Sequence, residues 1–182
     1  MRRITIGLAL IIPTILFADP IEWRVQDGGN GHFYEAIYIS CNWWTARDLA
    51  AEQEWGGVLG HLVTITSFEE ESFIWSHFDG QKFWLGAEQP VDQCQNPNNC
   101  QDSDPFGYDG GWVWVTEEDW DYTNSIWEPD GVNEDCLQYN NTYPGWNDDE
   151  CWESNPGFIV EFEEAPVSTE CMSFSCVKRL YR

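Results

Sequence analysis

The apolar positions of this chain fall into short runs that change period several times. Residues 21 to 39, IEWRVQDGGNGHFYEAIYI, give two strand-like runs around a glycine-rich turn, with Asn30-Gly31 as a hairpin signal. Residues 43 to 55, WWTARDLAAEQEW, are rich in good helix formers and stop at Gly56-Gly57, which predicts a helix ended by glycine. LGHLVTI (59 to 65) predicts a short strand. In SFEEESFIWSHF, Ser67 stands as a cap ahead of Phe68, Phe73, Ile74 and Phe78 at helical spacing. KFWLGA (82 to 87) reads as a buried strand, and WVWV (112 to 115), CLQYN (136 to 140) and GFIVEFE (157 to 163) as three more. Between Glu88 and Gly111 the chain is Gln, Asn, Pro, Asp and Gly, which predicts a long loop. Two helices early, strands late and no internal repeat predict one α+β domain with long loops.

The first eighteen residues set a boundary. Arg2 and Arg3 precede an apolar run from Ile4 to Phe17, closed by small Ala18, which reads as a secretory signal peptide over residues 1–18. A membrane anchor would need a longer run. The expected organisation is a signal peptide (1–18), a domain over 19–164 and a cysteine-containing tail over 165–182, in a secreted, extracellular protein.

Charge narrows the partners. Losing the signal leaves six basic against 32 acidic residues, a balance of −26. That excludes binding to nucleic acid through phosphates and adhesion to anionic membranes, since both need a basic surface. Twelve tryptophans exclude an acidic disordered chain. The partners that fit are cations and neutral, hydroxyl-rich ligands.

Two acidic stretches carry the candidate chemistry. WEPDGVNEDC (127 to 136) holds Glu128, Asp130, Glu134 and Asp135, and GWNDDEC (145 to 151) holds Asn147 and Asp148; each ends in a cysteine. Carboxylate and amide oxygens without histidine or thiolate suit a hard cation such as Ca²⁺. His32, His61 and His77 lie far along the chain from these acids, which leaves zinc unsupported. Cys136 and Cys151 stand where a disulfide would tie the two stretches together. Cys94 and Cys100, with five residues between them, read as a second, local bridge. Pro129 offers a cis bond that would turn its flanking carboxylates toward one point. The seven cysteines leave at least one thiol over, through which chains could oligomerise, and the sequence alone does not fix the pairing.

Taken in order, Trp43, Ala46, Gly56-Gly57, LVTI followed by Ser67 and the glutamates, WLGA, WVWV, EPD, NEDC, WNDDEC and FIVEFE resemble the C-type lectin-like domain family over roughly residues 23 to 163. The resemblance implies a double-loop α+β fold, with the termini paired at its base and a long loop region carrying calcium. It implies Glu128, Asp130, Glu134, Asn147 and Asp148 as both metal- and sugar-binding residues, with two neighbouring sugar hydroxyls entering the calcium shell. Asp104, Asp109 and Asp135 are candidates for a second metal site. Trp146 is expected in the core. The implied function is calcium-dependent carbohydrate binding, recognition rather than catalysis, with mannose-, glucose- or fucose-type geometry favoured over galactose-type. The alternative is a module that binds ice, a mineral or a protein partner through its acidic face.

The chain departs from the family pattern in two places. Ala50 and Val160 stand where the outer disulfide is expected, as an apolar replacement of that bridge would look. Cys41, Cys171 and Cys176 fall outside the pattern, and a Cys171–Cys176 bridge with Cys41 unpaired is expected. Glu-Pro-Asp also places acids at both specificity positions, where an Asn or Gln would supply an amide donor to the sugar.

Overall fold

The computed structural model describes residues 19–78, 81–90, 111–124, 134–140 and 145–163. The elements follow the chain as β1 (Ile21–Glu22), a 3₁₀ turn (Val25–Asp27), β2 (Phe33–Ile37), α1 (Trp43–Glu52), β3 (Glu54–Trp55), β4 (Val58–Leu59) and β5 (His61–Leu62). Then come α2 (Phe68–Phe78), β6 (Phe83–Glu88), β7 (Val113–Trp114), β8 (Cys136–Tyr139), β9 (Trp146–Asp149) and β10 (Gly157–Phe162). The main sheet runs β1-β2-β10-β6-β8-β9, with β5 on β10 and β7 on β6. The β10–β6 pair is parallel and the other ladders are antiparallel. The first and last strands of the domain thus meet at β2, and the α+β fold expected from the sequence is the one observed.

Every residue of β10 is buried, and its alternation serves two cores. Phe158, Val160 and Phe162 pack with Trp43, Ala46 and Ala50 of α1, whereas Ile159 packs with Ile74 of α2 and with Leu85, Leu137 and Trp146. A strand covered on both faces needs apolar side chains at consecutive positions, which is what FIVEF provides apart from Glu161. Both helices are capped: Ser67 Oγ, the cap expected for α2, accepts from Glu70 N at 3.2 Å, and for α1 the Asn42 side chain, which the sequence reading did not single out, accepts from Thr45 N at 2.9 Å.

Three local expectations change. The Gly56-Gly57 pair does not end α1, which stops at Glu52 with extended Gln53 behind it. The glycines form the two-residue turn of the β3–β4 hairpin, where φ of +62° and +92° match a turn that needs positive φ at both central positions. Asn30-Gly31 closes no two-residue hairpin either, because ten residues including the 3₁₀ turn separate β1 from β2. The second acidic stretch, read as a loop, is strand β9 over Trp146–Asp149, since its alternating buried positions pair with β8.

Ala50 and Val160 are both fully buried in one apolar cluster. A methyl on Gly60 would come within 2.5 Å of Val160 Cγ1 and 3.1 Å of the Ala50 carbonyl, so the base of the domain is closed by packing at these two positions. Cys41 is an unpaired, buried thiol, as expected, and burial raises its pKa. Cys171 and Cys176 lie outside the described residues. No helix among the described residues is long and apolar enough to cross a membrane.

Candidate metal centre

The Cys136–Cys151 disulfide forms, with its Cα atoms 5.1 Å apart, and staples β8 to the end of β9. The register sets Leu137 opposite Asp148, Gln138 opposite Asn147 and Tyr139 opposite Trp146. Because successive side chains on a strand alternate, Trp146 and Asp148 share one face and Asn147 and Asp149 the other. Asp148 is buried and Asn147 half-buried, its amide reaching the Asp148 carbonyl. Asp149 is held by Gln138 Nε2 at 2.7 Å and by Lys82 Nζ at 3.7 Å. Gln138 in turn accepts from Asn155 Nδ2 at 2.9 Å.

Glu134 and Asp135 lead directly into β8, so the end of the first acidic stretch lies on the strand that pairs with Asn147 and Asp148. The Asp135 carbonyl accepts from Gln89 N at 2.8 Å, which ties this approach to the end of β6. Burial, and then the charge of Glu88, raise the Asp135 carboxyl. Asp135 and Glu88 thus bring two carboxylates close together at one end of the sheet, and carboxylate oxygens are ligands that suit a hard divalent cation. Glu88, whose charge acts on Asp135, was not among the acids that the sequence reading singled out; its one signal is its place as the last residue of a buried strand. Glu128, Asp130, Asp104, Asp109, Pro129, Cys94 and Cys100 lie outside the described residues.

Trp146 belongs to the core. It is fully buried, with Trp114, Trp120 and Tyr122 in edge contact at centroid distances of 5.7, 5.8 and 5.5 Å.

A second polar cluster lies under the paired termini. His32 Nδ1 stands 2.7 Å from Glu161 Oε1, and the ligand atoms of His32, Glu70 and Glu161 all fall within 4.8 Å of one another. Glu70 takes Tyr34 OH at 2.6 Å and Asn30 Nδ2 at 3.0 Å on one oxygen, and the Thr66 amide and hydroxyl on the other. Glu161 Oε2 takes Thr64 N at 3.0 Å and Thr64 Oγ1 at 3.1 Å. Protein donors thus engage every oxygen of both carboxylates. Burial pulls His32 down, but the Glu161 hydrogen bond and the charges of Glu161, Glu70 and Glu163 outweigh it and raise its pKa. Glu70 is raised by burial and by Glu161's charge, against the pull of its donors. Sequence spacing hid the cluster, because its histidine and strand glutamate are 129 residues apart.

The profile of the Lectin C-type domain family matches residues 40–158. The chain belongs to the C-type lectin domain family. Among curated relatives, halomucin of Haloquadratum walsbyi is 29% identical over 152 residues, covering 73% of this chain and 1% of halomucin. Asialoglycoprotein receptor 1 of Rattus norvegicus is 28% identical over 142 residues, covering 72% of this chain and 40% of the receptor. The chain therefore spans well under half the length of these two relatives. Among solved structures, the carbohydrate-recognition domain of cow CD23, determined in the presence of a GlcNAc2Man3 oligosaccharide, superposes with a TM-score of 0.53 at 21% identity over 71% of this chain and 86% of that one. A calcium-independent type II antifreeze protein superposes with a TM-score of 0.51 at 20% identity, over 85% of this chain and 95% of that one. At these identities the superpositions establish the C-type lectin-like fold. The domains of the family are generally binding modules and typically bind Ca²⁺, although calcium-independent members share the fold.

Proposed function

We propose that this protein is an exported, calcium-dependent glycan-binding module. Glu128, Asp130, Glu134, Asn147 and Asp148 would hold one Ca²⁺, with Asp104, Asp109 and Asp135 as candidates for a second. The bound ion would supply open coordination positions to two neighbouring sugar hydroxyls, which the same side chains orient by hydrogen bonds. The observation that carries this reading is the β8–β9 ladder, stapled at Cys136–Cys151, which holds Asn147-Asp148 on the strand paired with β8, itself beginning two residues after Glu134 in the chain. Family membership supports it from outside the geometry.

Glu128, Asp130, Glu134 and Asp148 bring four negative charges to the ion. Asp130 replaces an amide donor, which removes about 0.5–1.5 kcal/mol from each sugar hydrogen bond that donor would make. The site therefore holds calcium firmly and sugar modestly, with mannose-, glucose- or fucose-type ligands preferred. The test is a calcium titration followed by thermal unfolding, and then a glycan array with and without chelator. Calcium at about 100 times its Kd raises stability by about 2.7 kcal/mol, and glycan retention disappears on chelation. A melting temperature unmoved by millimolar calcium overturns the reading.

The likeness to a calcium-independent antifreeze protein favours a second reading, a module for ice, a mineral surface or a protein partner that works through the acidic face without an ion. Binding to such a surface that survives Glu134→Ala and Asn147→Ala supports that alternative.

A further inference from the structure

Helix α2 sends two consecutive glutamates inward. Glu70 serves the cluster beneath the termini, whereas Glu71, 2% exposed, faces the underside of β8 and β9. Three donors are aimed at its carboxylate: Tyr139 OH, the Trp146 indole N–H and the Asn124 side chain. Among the described residues neither Glu71 oxygen, nor Tyr139 OH, nor Trp146 Nε1 has a partner in close hydrogen-bond geometry, so these buried groups have only one another to turn to. Trp146 is the residue immediately before Asn147, and Tyr139 stands opposite it in the ladder. Rings fix both side chains laterally: Trp75 of α2 meets Tyr139 edge-on at 5.4 Å, while Trp114, Trp120 and Tyr122 surround Trp146. The Trp146 amide also donates to the Asn124 carbonyl at 2.9 Å. A rotation of β9 about its own axis would swing Asn147 and Asp148 away from β8, and it would have to pull the Trp146 N–H off Glu71.

We infer that Glu71 is a positioning residue for the calcium site, holding β9 in register and orientation through Trp146 and Tyr139 without touching the ion. This inference rests on the calcium-binding reading above. The charged and titratable groups around Glu71 are Glu70 on its own helix, Tyr139 on β8 and Tyr122 on the segment that follows β7. Burial and the charge of Glu71 keep Tyr139 protonated as a donor, and burial with the charges of Glu71 and Glu69 pushes Tyr122 up to about 12.

The test compares Glu71→Gln, Glu71→Leu and Tyr139→Phe with the unaltered chain in two measurements. The first is calcium affinity by titration. Gln keeps an acceptor oxygen and stays within about threefold, Leu weakens binding by about tenfold or more, and Phe, which removes one donor and keeps the ring, falls between them. The second is the near-ultraviolet circular dichroism of the calcium-free protein against pH. The unaltered chain shows an aromatic transition near neutral pH, where Glu71 changes charge beside Trp146 and Tyr139, and the Gln variant lacks it. Should Leu cause loss of fold, Tyr139→Phe and the dichroism still decide. Calcium affinity unchanged in Leu and Phe overturns the inference, as does a Gln variant as weak as Leu or one that keeps the transition. If the unaltered chain binds no calcium, the functional reading and the inference fall together. That result differs from failure of the inference alone, in which the unaltered chain binds.

Discussion

Replacing Glu71 with glutamine keeps the shape and one acceptor oxygen and deletes a buried charge, so its effect on stability is calculable. Burial outweighs the three donors and raises the carboxyl from an ordinary 4.5 to about 7. Folded chains therefore bind more protons than unfolded ones between these values. The stability that the protonated form contributes is complete below about pH 4.5, falls as pH rises to about 7, and is flat above that. At about 1.4 kcal/mol per unit the full loss is about 3 kcal/mol, of which about 2.5 kcal/mol falls between pH 5 and pH 8. Glutamine has no such term. Urea unfolding of both proteins at these two pH values isolates it, because every other titrating group is common to both and cancels in the difference. With a slope of about 2–3 kcal/mol per molar urea, the midpoint of the Gln variant gains about 1 M relative to the parent on going from pH 5 to pH 8. A difference that stays constant to within about 0.5 kcal/mol across this range would show that Glu71 is not a desolvated carboxylate, and refute the reasoning.

Two further outcomes follow from the geometry. His32 carries a raised pKa beside Glu161, so its stabilising charge is fully present below its unfolded value of 6.5 and is lost as pH rises through the folded one. The stability gap between the parent and His32→Ala is expected to be wider at pH 6 than at pH 9, as read by denaturant midpoints, and a gap independent of pH would contradict the ion pair. Gly86 has no room for a methyl group, which would lie 2.5 Å from the Leu62 carbonyl oxygen and 2.8 Å from that of Val63. Because backbone is what must yield, Gly86→Ala is expected to cost about 1–3 kcal/mol or more in thermal or urea unfolding, and a neutral result would argue against the close approach of β6 to residues 62 and 63.

Much of the fold was legible because its strongest signals are local. Ser67 before FEEESFIW, the helix formers of WWTARDLAAEQ, and the apolar residues of GFIVEF each specify an element within a dozen residues. Gly56-Gly57 was misassigned because glycine after a helix-forming segment serves equally as a helix stop and as a hairpin turn. Only the pairing of Glu54 with Leu59 decides between them. WNDD looked like a loop since its acids mask an alternation in which Trp146 and Asp148 turn inward. The pairing of Cys136 with Cys151 was legible from their matched places after the two acidic stretches. The cluster of His32, Glu70 and Glu161 was not, because it is assembled from three elements that only the sheet order brings together.

The two inward glutamates of α2 give the helix a role that its sequence conceals. Consecutive residues on a helix point about 100° apart, so Glu70 and Glu71 cannot serve the same neighbours. Glu70 is surrounded by close donors from residues 30, 34 and 66, and a histidine balances the carboxylate it shares the cluster with. Glu71 meets only uncharged donors, at looser geometry, and has no cation facing it among the groups that set its pKa. The difference in surroundings is a difference in what each contact can do. A carboxylate with every oxygen closely engaged fixes the base, where β1, β2 and β10 meet. The Glu71 carboxyl, raised to about 7 and met by the aromatic residues under β8 and β9, places a charge that changes near neutral pH beneath the strand that carries Asn147 and Asp148. One helix turn therefore links the base of the domain to the underside of β8 and β9, and substitutions at Glu70 and Glu71 belong to different parts of the protein despite being neighbours in sequence.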